Sequence, residues 1–525
     1  MMAINYVDSI NKLEDMTNVV SLDEKDASHV EFIIEQSWIQ VANGSLAERI
    51  NFSHKYWTTH KIKEFILACR DNVIYNSLFR WNIIDFVIKE NRVVSMISFS
   101  KEYGHSTMKR GGLNQQEENE FINEYTEESM FKRSLLLYRM IQSISDEKLS
   151  DNFIMFLKEL ANGDALITST LASELLCRNA NVTVPKKIVV SGHEKIEESR
   201  KSDNKALKNI KMMFEDRIDV YSYNFFEIVH PAYARQCVAL AYYLNKYIGA
   251  EAGDEIRCID VGTGPGIPLI MMLEMLPNLK VQAIEPSEAA FEYLRENIKG
   301  DRRVNCEKID FLEMQVENRV PVIMSTGASH HFNTYFFFQK CWNVLEQNGI
   351  LLVADEFISP FKDCNDRKNN LILHHLSYLL PILFEATERT TVALLSDEKL
   401  LIEWFRNYIP IAIFYAYTKQ VDKSSYICRN LLKLAHSLSL PSQVSDPLVA
   451  FYRLQLLELE ALVAGLDYEV EQKTYPERFC KMAKSAGFSM IDHSRVYNTI
   501  GEDQFDAGTH VFVFKKNDIF GESEL

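Results

Sequence analysis

Residues 258–268 read CIDVGTGPGIP, an apolar run that breaks into Gly262, Gly264 and Gly266 within five positions. A strand running into a glycine turn and then a helix aims unpaired backbone N–H groups and a positive helix end at a ligand. Dinucleotide sites use the spacing G-x-G-x-x-G, the third glycine packing helix against strand. Here Ile267 stands at that place, so the nicotinamide reading loses its most specific element.

Outward from this turn, short apolar runs alternate with helical stretches. IRCIDVG (256–262), LKVQAIEP (279–286), VNCEKIDF (304–311), VPVIMST (320–326) and ILLVADEF (350–357) read as strands. IPLIMMLEMLP and SEAAFEYLRENI read as helices, the second capped by Ser287, and FNTYFFFQKCWNVLEQNG as a helix closed by Gly349. That rhythm predicts a parallel sheet covered on both faces. It stops at residue 361, gives way to apolar helical patterns until about 470, and resumes with YPERFCKMAKSAGF, a helix ended by Gly487. Two more strands, SMIDHSRVYN and THVFVFKK, lie too close together for a crossover and predict an antiparallel final pair.

The expected organisation is a helical amino-terminal domain over 1–190 and a charged linker or solvated helix over 191–215. A ligand-binding α/β domain follows over 216–360 and 471–525, interrupted by a helical insertion over 361–470. Among 525 residues, 57 Lys and Arg face 73 Asp and Glu, a formal charge of −16. An acidic surface repels phosphate backbones and anionic lipid, which disfavours nucleic acid and membrane as partners. Nine cysteines without a CxxC pair read as reduced core thiols of a cytoplasmic protein. The start MMAINYVDSINKLEDM lacks the pattern of a signal peptide, and YIPIAIFYAY (408–417) falls short of the ~18 apolar residues of a membrane span.

Asp260 ahead of G-x-G-x-G and an acid closing the second strand, Glu285, resemble the class I S-adenosylmethionine-dependent methyltransferases. The resemblance covers roughly 220–360 and 475–515, with IDVGTGPG, AIEP, KIDF, VIMSTGASHHF and ILLVADEF in the family's order. It implies a Rossmann-like α/β sheet of seven strands, the last pair antiparallel, and S-adenosylmethionine as cofactor. It implies that Gly262, Gly264 and Gly266 let backbone approach the cofactor, and that Glu285 accepts from the ribose hydroxyls. Asp310 would meet the adenine amino group, Phe311 would flank the ring, and Asp260 would sit by the amino acid portion. Pro286 and Ser325 are counted with these contacts, as are Tyr223, Tyr233 and Arg235 from the helix before the first strand.

His330 and His331 follow the fourth strand at the carboxyl edge, where either could take a proton from an acceptor or merely cap the next helix. His330 and His331, together with His374 and His375 at the border of the amphipathic helical pattern NLILHHLSYLLPILF and with Asp355 and Glu356, have the ligand types of a metal site. Adjacent histidines on a helix point about 100° apart, so no metal is expected. Trp404, Phe405, Tyr408, Phe414, Tyr415 and Tyr417 suit an aromatic lid, a helical core or a homodimer interface equally well. The preferred expectation is methyl transfer to a small organic acceptor, lipophilic or aromatic. Two alternatives stand: a protein or RNA methyltransferase that uses the amino-terminal part for recognition, and a non-catalytic nucleoside-binding regulator. The fourth motif, STGA, lacks the Asn/Asp-Pro-Pro-aromatic signature of enzymes that methylate amides and exocyclic amines.

Overall fold

The computed structural model describes residues 114–143, 149–179, 218, 220–249, 254–315, 318–379, 419–438, 447–466, 471–500 and 503–517, with scattered positions between 397 and 416. Residues 1–113, the 191–215 segment, Phe414 and Tyr417 lie outside the described residues. The chain forms two compact units, one within 94–358, 468–498 and 502–525, the other including 359–467 and 499–501.

The first unit opens with helices α1 (Gln115–Glu127), α2 (Met130–Ser143), α3 (Asp151–Ala161), α4 (Leu166–Asn179), α5 (Val220–Val229) and α6 (Pro231–Ile248). Asn114 starts α1 as a capping box: its Oδ1 accepts from the Glu117 amide at 3.0 Å while Glu117 Oε2 accepts from the Asn114 amide at 2.8 Å. Then come β1 (Ile256–Val261), α7 (Ile267–Met275), β2 (Leu279–Ile284), α8 (Glu288–Asn297), β3 (Val304–Glu307), β4 (Val320–Thr326), a 3-10 turn at Ser329–His331, α9 (Thr334–Val344) and β5 (Leu345–Phe357). The second unit carries α10 (Cys364–Leu379), α11 (Val421–His436) and α12 (Pro447–Gly465). The first resumes with α13 (Pro476–Ser485), β6 (Phe488–Ile500, ending in the second unit) and β7 (Ala507–Lys516).

The strand order is β3-β2-β1-β4-β5-β7-β6. β1 pairs in parallel with β2 and with β4, so the sheet grows in opposite directions from β1 and opens a crevice at the carboxyl ends of β1 and β4. β7 runs antiparallel to β5, and residues 501–506 between β6 and β7 are too few for a crossover.

Every central strand is apolar on both sides because both faces are covered. Cys258 of β1, Ile350, Leu352 and Ala354 of β5, and Val511 and Val513 of β7 join one buried cluster with Leu137, Phe153, Leu171 and Leu240 from the helices. Their neighbours Ile259, Leu351, Val353, Phe512 and Phe514 join a phenylalanine-rich cluster on the opposite face with Phe337, Phe338 and Phe479. The helices over 115–179, expected to belong to a separate amino-terminal domain, thus share the sheet's own core. Glu274 of α7 draws them in: its two carboxylate oxygens accept from the Leu166 and Ile167 amides at 2.8 Å each, capping α4 from across the fold.

Two local expectations change. Gly349 does not close α9, which ends at Val344; β5 begins at Leu345 and carries Gly349 within it, after Asn348 at φ 61°. His374 and His375, expected at the border of an amphipathic helix, are fully buried. His374 Nδ1 meets Thr499 Oγ1 at 2.9 Å and His375 Nδ1 meets Glu458 Oε2 at 3.0 Å within the second unit, where polar partners make their burial tolerable. Trp404, Phe405, Tyr408 and Tyr415 are buried as well. No helix among the described residues is long and apolar enough to cross a membrane.

Glu274→Ala removes the cap of α4 and leaves two amides without their acceptor. It should lower unfolding free energy by about 1–2 kcal/mol, read by urea denaturation.

Candidate active site

β1 hands over to α7 through residues 262–266, whose three glycines all have positive φ, 68°, 61° and 89°. They do different work. A Cβ on Gly262 would stand 2.5 Å from the Ala328 Cβ, and one on Gly266 would stand 2.5 Å from Leu294 Cδ1 of α8. Gly262 therefore lets the loop after β4 close against the turn, and Gly266 lets α8 pack. A Cβ on Gly264 would find only Glu227 Oε1, at 3.9 Å, so this position alone of the three keeps room above the turn.

Carboxylates surround that room. Glu285, one residue past β2, accepts from the Gly264 amide through Oε2 and from the Ser287 amide through Oε1, both at 2.8 Å. It staples the turn after β1 to the start of α8. Asp260 is buried at the end of β1, and burial, partly offset by the Thr263 hydroxyl, pushes its carboxyl up to about 7. Glu227 projects from α5, is buried, and among the described residues has no hydrogen-bond partner on Oε2. Burial drives its carboxyl well above the usual range, and Glu285 and Asp260 drive it further. Like charges this close and this dry raise each other's proton affinity until a cation or a set of donors arrives.

The loop after β4 supplies the other wall. Ser325 Oγ donates to the Val261 carbonyl at 3.0 Å, joining the ends of β4 and β1. The 3-10 turn then wraps around Asp355 of β5. Asp355 accepts from the Ser329 hydroxyl, from the His330 amide at 3.0 Å and from the Glu356 amide at 2.8 Å, and pairs with His330 Nδ1 at 2.7 Å. Burial alone would raise its carboxyl, but His330 and these bonds hold it below the ordinary value. The Asp355 carboxylate holds a ring proton on His330 Nδ1 and turns Nε2 away from itself. The His331 ring lies 4.2 Å from that of His330, centroid to centroid. Gln472 donates its amide to the His330 carbonyl at 2.7 Å, and buried Lys473 reaches Glu356 at 3.1 Å and Glu471 at 3.5 Å. Tyr223 and Tyr233 share a hydroxyl bond of 2.7 Å. Burial raises both phenols, and both feel Glu227 and Glu356, so the pair bridges the acids of the turn and those of β5.

Residues 258–349, from within β1 into β5, match the family model described as a methyltransferase domain. That stretch is a methyltransferase domain of the S-adenosylmethionine-dependent class. Among curated proteins the chain is 25% identical over 206 residues to a tRNA1(Val) (adenine(37)-N6)-methyltransferase of Porphyromonas gingivalis strain W83, covering 35% of this chain and 80% of that one. Among solved structures it is similar to the 1,6-didemethyltoxoflavin-N1-methyltransferase of Burkholderia thailandensis, with 1,6-didemethyltoxoflavin and S-adenosylhomocysteine bound. That match has 11% identity, 54% and 79% of the two chains covered, and a TM-score of 0.27. A sugar N-methyltransferase of a Streptoalloteichus species matches at 15% identity over 30% and 62% of the chains, with a TM-score of 0.24.

Around the methyltransferase domain the residues read from the sequence divide into two groups. Asp260, Gly264, Glu285, Tyr223 and Tyr233 surround the turn, with Pro286 partly buried beside Glu285. Asp310 follows β3, partly exposed, and its Oδ1 accepts from the Leu312 amide at 2.9 Å. Phe311 is wholly buried against Phe332 and Phe337, so its ring is part of the core, where the resemblance would have it flank adenine. Ser325 is likewise spent between strands. Arg235 faces away from the turn: it pairs with Glu174 of α4, donates to the Val496 carbonyl at 3.1 Å and covers the Tyr497 ring. The sequence reading missed Glu227, although one acid inside the aromatic run YSYNFFEIV was a visible signal. It also missed that Asp355 orients His330, and that Glu471 and Lys473 come to the same loop.

Asp260 titrates near 3.8 when unfolded and about 7 when folded. The folded protein holds the extra proton between these values, so the group's contribution is full below 3.8 and is lost as pH rises through 7. The ligand-free protein should lose more thermal midpoint than Asp260→Asn between about pH 5 and about pH 8. Parallel midpoint curves in scanning fluorimetry would contradict this.

Proposed function

We propose that this methyltransferase methylates a small organic acceptor whose attacking atom arrives bearing a proton, with the Asp355–His330 pair removing it. The observation that carries the reading is the 2.7 Å bond from His330 Nδ1 to an Asp355 that is itself held ionised. Asp355 fixes the ring's tautomer and orientation, so Nε2 can accept a proton as the acceptor attacks. The Ala328–Gly262 contact brings that loop onto the glycine turn.

S-adenosylmethionine supplies a methyl group already activated on a positively charged sulfur. The residues around the turn fit it. Glu227, with its unsatisfied oxygen, and Asp260 would hold the cationic amino acid portion. Glu285, held in place by the Gly264 and Ser287 amides, is the group proposed for the ribose hydroxyls. Asp310 is the group proposed for the adenine amine. The Tyr223–Tyr233 pair, kept neutral by burial, would separate cofactor from bulk water.

The likeness to the tRNA methyltransferase favours a nucleic-acid acceptor as the second reading. Against it stands the site's charge: Glu285, Asp355, Glu356 and Glu471 flank it, with Lys473 among them, and such a field repels a phosphate backbone. The loop sequence STGASHH also lacks the Asn/Asp-Pro-Pro motif of the exocyclic-amine enzymes.

Release of S-adenosylhomocysteine measured against a panel of small hydroxyl, thiol and amine acceptors and against tRNA separates the two. Turnover with tRNA alone overturns the proposal. With a working acceptor, His330→Ala and Asp355→Asn should lower turnover by about 10²–10⁴-fold with cofactor affinity unchanged. Glu227→Gln should weaken cofactor binding by about 1.5–3 kcal/mol in calorimetry, because a charge-assisted bond to a cation is lost.

A further inference from the structure

We propose that His330, His331 and Glu471 form a binding site for a divalent transition metal, zinc by preference, at the mouth of the acceptor site. One ligand atom from each residue lies within 4.8 Å of the others. Nitrogen and oxygen ligands around a tetrahedral zinc stand roughly 3.4 Å apart, a gap that side-chain rotation closes. Two imidazoles and one carboxylate are the donors of an open zinc site, which keeps its fourth position for an exchangeable ligand.

The backbone builds this trio independently of side-chain placement. The Gln472 amide bonds the His330 carbonyl at 2.7 Å and the Ile358 amide bonds the Thr474 carbonyl at 3.0 Å, fixing the segment of Glu471 against the histidine turn. The objection that adjacent histidines diverge holds for an α-helix. These two sit in a 3-10 turn with their rings 4.2 Å apart. Asp355 on His330 Nδ1 leaves Nε2 to coordinate, and a carboxylate behind a ligating imidazole fixes its orientation and raises its basicity.

The consequence for chemistry rests on the methyl-acceptor reading above. An acceptor hydroxyl on the open position loses its proton to solvent more readily. Its oxygen then forms the new C–O bond as the C–S bond breaks and the electron pair returns to sulfur. In the metal-free protein the His330 ring takes that proton instead.

The test is binding of zinc alone to chelator-stripped, full-length protein, followed by competition with a chromogenic chelator, with cobalt substitution to report coordination in its visible spectrum. The wild type should bind one equivalent more than His331→Gln or Glu471→Gln, both checked for folding by circular dichroism. Asp355→Asn should bind that equivalent about 10–100-fold more weakly, an effect a merely structural carboxylate would not produce. Equal stoichiometry in wild type and both ligand variants, or a cobalt spectrum unchanged by them, overturns the site. Loss of turnover in His330→Ala without any such zinc equivalent would sink the metal and leave the base reading standing. Zinc binding without methyl transfer to any acceptor would do the reverse.

Discussion

The geometry of the site depends on one carboxylate. Glu285 accepts from the amides of Gly264 and Ser287, so a side chain at the end of β2 fixes both the turn after β1 and the start of α8. Without an acceptor there, two amides at the carboxyl edge would be left bare and the positive φ of the turn would have no tie to hold it. Glutamine is not a substitute in this role, since one of its two ends would present N–H to N–H.

Around that staple the fold accumulates negative charge that it does not neutralise. Burial raises Glu227 and Asp260, and the neighbouring Glu285 and Asp260 carboxylates raise Glu227 further. A site of this kind is costly when empty and relaxes when a cation enters, so part of the cofactor's affinity is stored beforehand as carboxylate repulsion. Asp355 is the contrast. It is as buried, yet His330 and three hydrogen bonds from its surroundings hold it ionised. Two sets of acids a few residues from the same pair of strand ends therefore have opposite tasks, one waiting for charge and one orienting an imidazole.

The core explains why these groups stay aligned. Strands that alternate between a helix-packed cluster and a phenylalanine cluster cannot slip without moving side chains across the sheet. The contact of Ala328 with Gly262 then holds the β4 loop against the glycine turn. Glu274 extends the same rigidity to α4, and the Arg235–Glu174 pair ties α6 to it from the other side.

The sequence by itself determined the α/β alternation, the glycine turn, the Ser287 cap and the place of Glu285, because each is a local pattern of hydrophobic period, turn residue or strand end. One local pattern also misled: Gly349 resembled a helix cap but lies within β5, after Asn348 at φ 61°. Only the tertiary structure decided that Arg235 would serve Glu174, that Glu227 would meet Asp260, and that Glu471 would come to His330 and His331. Those partners lie far apart along the chain, and which of several polar side chains a buried group meets is fixed by packing, which no short stretch of residues encodes.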